Sequence, residues 1–313
     1  MLRLPDRWVW DSWYAEDDEG RHHAFFLQAP RALVDPELRH RRASIGHAVS
    51  ADLRSWRLAA DALVPAGAPS WDDLATWTGS VVRGPGGRWF LFYGGVSRAE
   101  DGRVQRIGLA TSDDLFSWRR HGAEPLLEAD SRWYERLHSS SWPEEAWRDP
   151  WVFPDPNGAG WHMLVTARAN HGPERGRGVV GHARSPDLLR WEVRPPLTRP
   201  AGFGHLEVPQ VAVVDGQPLL LFCTNSTDRP DARPADRVWM LPGPSPAGPW
   251  DMTLARPVRC DLYAPRLVRD AAGAWQLIGF VDERDGRFAG ELSDPSRVRV
   301  VAGGGLRLLD DLE

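Results

Sequence analysis

Three carboxylates sit in short, mostly apolar surroundings. They are Asp11 in Val9-Trp10-Asp11-Ser12-Trp13, Asp149 in Trp147-Arg148-Asp149-Pro150 and Glu207 in His205-Leu206-Glu207-Val208-Pro209. A fourth, Asp261, opens Asp261-Leu262-Tyr263-Ala264-Pro265-Arg266. Carboxyls crowded into one funnel raise each other's proton affinity, and a Glu so placed can stay protonated near neutral pH. One protonated and one ionised carboxyl is the equipment of glycoside hydrolysis. Each residue also has a plain structural alternative: a turn cap for Asp11, a turn before proline for Asp149, an ion pair with an arginine for Glu207. The joint pattern weighs against those alternatives, because the three fall at corresponding points of separate repeats.

The repeats are visible as Ser-x-Asp-Leu-x-x-Trp, which occurs at Ser50–Trp56, Ser112–Trp118 and Ser185–Trp191. A degenerate copy runs from Ser245 to Trp250 and a fainter one begins at Ser293. Five units of about 60 residues fill the chain, which is the kind of period that marks a repeat architecture. Each unit holds a short apolar run bounded by turn formers: Ala24–Leu27, Trp89–Tyr93, Trp161–Val165, Leu219–Phe222 and Trp275–Phe280. Such runs read as buried strands. Pro85-Gly86-Gly87, Asn157-Gly158, Asp215-Gly216 and Ala272-Gly273 punctuate them as turns. No stretch keeps a long helical period. The expected fold is all-β, a five-bladed β-propeller occupying 1–313 as one catalytic domain, with no C-terminal β-sandwich. In that fold the first strand of each blade lines the central channel, so residues that open the units converge. The repeated Trp is expected to pack between blades, and its Asp or Ser to cap a turn. Arg229–Pro234 and Pro173–Gly178 read as surface loops.

Composition narrows the function classes. The 313 residues carry a net charge of −5, and all 38 basic residues are arginine. This balance argues against a nucleic-acid or anionic-membrane partner held by bulk charge. Hydrophobic residues at 42% and charged residues at 26% are ordinary for a globular chain. The N-terminus shows no apolar signal region and no run reaches the length of a membrane span, which reads as cytoplasmic. Cys223 and Cys260 are far apart and read as reduced thiols. His22-His23, and His162 with His171, lack metal-ligand spacing, so neither a metal nor a cofactor is expected.

The segments opening the units resemble those of the levansucrase/invertase clan of glycoside hydrolases. Val9-Trp10-Asp11-Ser12-Trp13 is similar to a levansucrase nucleophile motif. Ile45-Gly46-His47-Ala48-Val49-Ser50 resembles a motif of invertases and fructan hydrolases. Trp77-Thr78-Gly79-Ser80, Arg148-Asp149-Pro150, Glu207-x-Pro209 and Asp261-Leu262-Tyr263-Ala264-Pro265 are similar to further signatures of that clan, in its order. The resemblance implies a retaining enzyme that cleaves β-D-fructofuranosyl linkages of sucrose or short fructosides, with transfructosylation as a variant. It implies Asp11 as nucleophile, Glu207 as acid/base and Asp149 as transition-state stabiliser. It also implies sugar contacts from Trp10, Trp77, Ser80, Arg148, Tyr263 and Arg266.

The chain departs from invertases where Trp10-Asp11-Ser12-Trp13 replaces an Asn-Asp-Pro-Asn-Gly type motif, and where Glu207 is followed by valine rather than cysteine. Gln28 precedes Pro30 by two residues instead of three, a slip that reverses the face a strand residue presents. Two other readings stay open on the sequence: a propeller arabinofuranosidase or β-xylosidase, and a non-catalytic glycan-binding propeller.

Overall fold

The computed structural model describes residues 1–225, 237–301 and 304–309. The expected Pro-rich loop at 229–234 lies outside the described residues. Five antiparallel sheets follow one another along the chain. Blade one comprises Arg7–Glu16, His22–Pro30, Ser44–Ser50 and Arg57–Leu58; blade two comprises Ala75–Arg83, Trp89–Val96, Arg106–Ser112 and Arg119–Arg120. Blade three comprises Trp147–Pro154, Trp161–Arg168, Gly178–Ser185 and Glu192–Arg194; blade four comprises Glu207–Val214, Gln217–Cys223, Val238–Pro242 and Arg256–Val258. In every blade the first strand is an edge strand, and the five first strands touch in a closed ring. The chain is therefore a five-bladed β-propeller, and the five apolar runs are the second strands.

Blade five, which opens with Tyr263–Arg269, breaks the four-strand pattern. Its second strand, Trp275–Arg284, pairs through Gln276 and Leu277 with Ser296–Val301, and from Phe280 onward with an extra strand, Arg287–Leu292. Gly305–Leu308 completes the sheet. The ring closes where Leu2 and Leu292 exchange backbone hydrogen bonds, tying the first residues to the last blade.

The repeated motif is a turn, as expected. In blades one to three the serine hydroxyl bonds the aspartate two residues on, and that aspartate accepts two following backbone N–H groups. The leucine inside the turn has positive φ in all three copies, between 60° and 69°. In blades two and three its tryptophan packs on the preceding blade, Trp118 against Phe25 and Trp191 against Phe92, whereas Trp56 of blade one meets Tyr14 of its own blade. Gly46-His47-Ala48 belongs to a third strand, where His47 stacks on Phe25 and bonds His23. Blade three repeats that pair as His162 and His182. The invertase-like Gly-His-Ala-Val-Ser segment is thus a packing element of the blade.

The five first strands share a further feature that local propensity would not suggest. Each carries one extra residue relative to its neighbour. The register slips around Asp11, Thr78, Asp149-Pro150, Val208-Pro209 and Ala264-Pro265. Such β-bulges re-aim side chains and bend the strand. Asp11, Asp149, Val208 and Ala264 have φ of 33°, 56°, 50° and 44°. Left-handed backbone at a non-glycine residue is strained and clusters at functional sites. In blade two glycine follows the bulge, and a Cβ on Gly79 would lie 2.1 Å from the Phe92 carbonyl oxygen. In blades three to five proline follows it, which forfeits no ladder hydrogen bond at a position outside the ladder.

The free cysteines are Cys223, which is buried, and Cys260. No helix among the described residues is long and apolar enough to cross a membrane. The short 3-10 turn Glu174–Gly176 lies within the expected Pro173–Gly178 loop.

Candidate active site

The bulges generate a ring. The residue before each bulge is Trp10, Trp77, Arg148, Glu207 or Tyr263, and all five line one cavity of about 670 Å³ at the channel mouth. At the bulge itself, Asp11, Thr78, Asp149 and Val208 line the same cavity. The three carboxylates therefore meet, but their positions are not equivalent. Asp11 and Asp149 occupy the bulge, whereas Glu207 stands one residue earlier, level with Arg148. This corrects the expectation of corresponding points. Asp261, in the preceding loop, is exposed and does not line the cavity.

Each carboxyl has its own partners. Asp11 accepts a hydrogen bond from Thr78 Oγ1 at 2.5 Å. Burial pushes its carboxyl up to about 7, with further upward pressure from Asp149 and Glu207, opposed by Thr78 and Arg266. Asp149 Oδ2 accepts from Thr166 Oγ1 at 2.7 Å and from the Val208 N–H at 3.2 Å. Burial raises its proton affinity too, and Arg148 opposes the rise. Glu207 Oε1 accepts from Arg148 Nη2 at 2.6 Å, and its Oε2 accepts from the Tyr263 hydroxyl. Burial and the Glu207 charge hold that phenol protonated. Arg148 also lies 3.6 Å from Asp149 through its Nε, so one guanidinium serves two of the three carboxylates.

Two expected sugar contacts lie elsewhere. Ser80 is buried two residues past the bulge, where its Oγ accepts the N–H of Val152 from blade three at 3.1 Å. Arg266, at the same level of blade five, is 1% exposed and does not line the mouth. Its Nη1 donates to the Val208 and Pro209 carbonyls, and its guanidinium lies over the Trp151 ring. The physical reason is the edge-strand character of the first strands: backbone groups facing the channel have no ladder partner and must be met by side chains. Gln28, whose register differed from invertases, likewise points away, bonding Arg7 and Ser44. Its neighbour Leu27 lines the cavity instead.

Other cavity residues escaped the sequence reading. The 3-10 turn Pro36–Arg41 contributes Arg39, which lies over the Trp10 and Phe288 rings, and His40, whose carbonyl accepts from Trp77 Nε1. Burial holds the His40 ring neutral, with a value of about 3. The loop before blade three supplies Trp142 and Glu144. On the far wall Arg237 lies over the Tyr263 ring and pairs with Asp282 at 2.5 Å. Thr78 was legible in principle, since it stands where Asp11 and Asp149 stand in their repeats. The loop residues carry no repeat signal. Among the described residues no group of three or more His, Cys, Asp or Glu could hold a metal ion.

Comparison with known proteins agrees with this architecture. The chain is 24% identical over 354 aligned positions to the extracellular sucrase of Zymomonas mobilis subsp. mobilis, covering 96% of this chain and 81% of that protein. It is 29% identical over 180 residues to an insoluble isoenzyme of beta-fructofuranosidase from Daucus carota, covering 55% of this chain and 26% of the carrot protein. Among solved structures, the inulosucrase from Halalkalicoccus jeotgali bound to kestose superposes with a TM-score of 0.77 at 23% identity. That superposition covers 97% of this chain and 87% of the inulosucrase. The model of the glycosyl hydrolases family 32 N-terminal domain matches residues 8–289, and the chain belongs to that family.

Proposed function

We propose that the chain is a retaining glycoside hydrolase that cleaves β-D-fructofuranosyl linkages of sucrose or short fructosides, with transfer to a sugar acceptor as a variant of the second step. The observation that carries this reading is the convergence of Asp11, Asp149 and Glu207 on one cavity, with Arg148 and Tyr263 gripping Glu207. Asp11 attacks the anomeric carbon as a carboxylate and forms a covalent glycosyl-enzyme. Glu207 protonates the departing oxygen, then takes a proton from the incoming water or hydroxyl. Asp149, its Oδ2 held by Thr166 and the Val208 N–H, accepts from sugar hydroxyls and offsets the positive charge of the oxocarbenium-like transition state. Trp10 and Trp77 flank the sugar as apolar walls.

The relatives include proteins named as a sucrase, a beta-fructofuranosidase and an inulosucrase, and the last is bound to kestose. They support a fructosyl donor. The test is an assay of the purified protein on sucrose, inulin and levan oligomers, and aryl β-fructofuranosides and arabinofuranosides, with NMR of the first-formed anomer. Release of β-fructose supports the whole reading. Release of the inverted anomer removes the nucleophile role from Asp11, and cleavage of arabinosides alone overturns the sugar.

A further inference from the structure

The Arg148 guanidinium is shared among Glu207, Asp149 and Glu144, and how it is shared bears on catalysis. Arg148 Nη2 binds Glu207, its Nε approaches Asp149, and its Nη1 donates at 3.0 Å both to Glu144 Oε1 and to Gln105 Oε1. Glu144 comes from the loop that precedes blade three, and Gln105 from the turn between two strands of blade two. Gln105 has no exposed surface; its Nε2 donates to Glu144 Oε2 at 3.0 Å, and its Oε1 also takes the Trp147 N–H at 3.2 Å. The loop itself is pinned. Val104 and Glu145 form a parallel bridge, and the Glu145 carboxylate accepts from Arg136 and from the Leu137 N–H. Glu144 is therefore held in place against Arg148 by buried groups.

We propose that Glu144 is a positioning residue for the acid/base step: by sharing the Arg148 guanidinium, it allows Glu207 to hold the proton that bond cleavage requires. The inference rests on the acid/base role given to Glu207 above. An arginine in direct contact favours the ionised form of a carboxyl, whereas a general acid must start protonated. A second carboxylate on the same guanidinium draws off part of that field. The other groups facing Glu207 are Asp11 and Asp149 from blades one and three, Cys223 from the adjacent strand, and Tyr263 from blade five with Arg237 lying over it. His205 lies beside Glu144, and Asp282 pairs with Arg237. In the step itself the proton passes from Glu207 to the glycosidic oxygen as the bond from that oxygen to the anomeric carbon breaks and Asp11 bonds to the carbon.

The experiment compares wild type with Glu144→Gln, which keeps an amide oxygen for Arg148 but loses the charge, and with Glu144→Asp, which keeps the charge. The alkaline limb of the kcat profile on sucrose is expected to move down by about one pH unit in the Gln variant, roughly a tenfold loss at a pH on that limb. The Asp variant is expected to retain the wild-type limb. An aryl β-fructofuranoside with an activated leaving group, which needs little protonation, is expected to show no such shift. A uniform loss at every pH, or a rise in KM alone, would make Glu144 an ordinary sugar contact and overturn the proposal. A readout independent of substrate is the carboxyl ¹³C NMR titration of Glu207, whose midpoint is expected to fall in Glu144→Gln. An unchanged midpoint overturns the proposal even where the wild-type enzyme cleaves fructosides. Failure of the wild type on both fructosides overturns the underlying reading instead.

Discussion

Two rings of five residues encircle the channel, three positions apart in sequence, and they differ in what they touch. Above the bulges, Trp10, Trp77, Arg148, Glu207 and Tyr263 open onto the cavity. Below them, Trp13, Ser80, Trp151, Gln210 and Arg266 do not line it. Three of the lower five bond the backbone of a neighbouring blade. Ser80 accepts from Val152, Gln210 pairs with both the N–H and C=O of Leu267, and Arg266 donates to Val208 and Pro209. The contrast teaches that the bulge is the boundary between chemistry and construction. The same strand offers side chains to a ligand on one side of its extra residue, and stitches unpaired edges together on the other.

The sharpest way to break that division is to substitute in the upper layers. Asp11→Ala and Glu207→Ala are each expected to lower kcat by roughly 10³-fold or more while thermal unfolding shows the fold retained. For Glu207→Ala, an activated aryl fructoside should lose far less than sucrose, since it needs little protonation. Near wild-type turnover by Asp11→Ala would remove the nucleophile from the scheme.

The lower ring should respond in stability. Arg266→Gln withdraws the donor from two buried carbonyls and a cation from beneath two carboxylates, a loss expected to cost about 3 kcal/mol in denaturant unfolding. Wild-type stability with lost activity would move Arg266 back among the sugar contacts.

Asp11 joins the two properties. Its folded-state value of about 7 lies above its ordinary 3.8, so the folded chain binds the extra proton between those limits. Stability contributed by this group is therefore greatest below about pH 4 and declines as pH rises to about 7. Activity that needs the carboxylate rises through the same window. Asp11→Asn should accordingly raise the unfolding free energy at pH 8 by about 1–4 kcal/mol and leave it nearly unchanged at pH 4. Equal effects at both pH values would show that burial at Asp11 is not opposed to its charge. The smallest effect is expected for Ser80→Ala, about 1–2 kcal/mol for the orphaned Val152 N–H, with kcat/KM on sucrose within about twofold. A tenfold loss of kcat/KM would erase the boundary between the rings at blade two.

Much of this was legible in the residues. The Ser-x-Asp-Leu-x-x-Trp turns and the five apolar runs announce the blades, because local hydrogen bonding and strand burial repeat with the chain. Asp11, Asp149 and Glu207 stood out because charge amid apolar neighbours is costly unless used. Ser80 lies in the signature Trp77-Thr78-Gly79-Ser80, whose cavity member beyond Trp77 is Thr78. Alternation along a strand would place Trp77 and Gly79 on one face, and only the extra residue at Thr78 changes the count.

The sequence by itself determined the repeat, the strand order and the residue types that can break a glycosidic bond, since these depend on composition and spacing within each unit. Tertiary structure alone decided which side of each bulge a residue occupies, and that Arg39, Glu144, Arg237 and Asp282 belong to the cavity wall. A bulge is a mismatch between two strands, and a loop's docking depends on a blade far along the chain. Neither quantity exists until the strands are paired and the ring is closed.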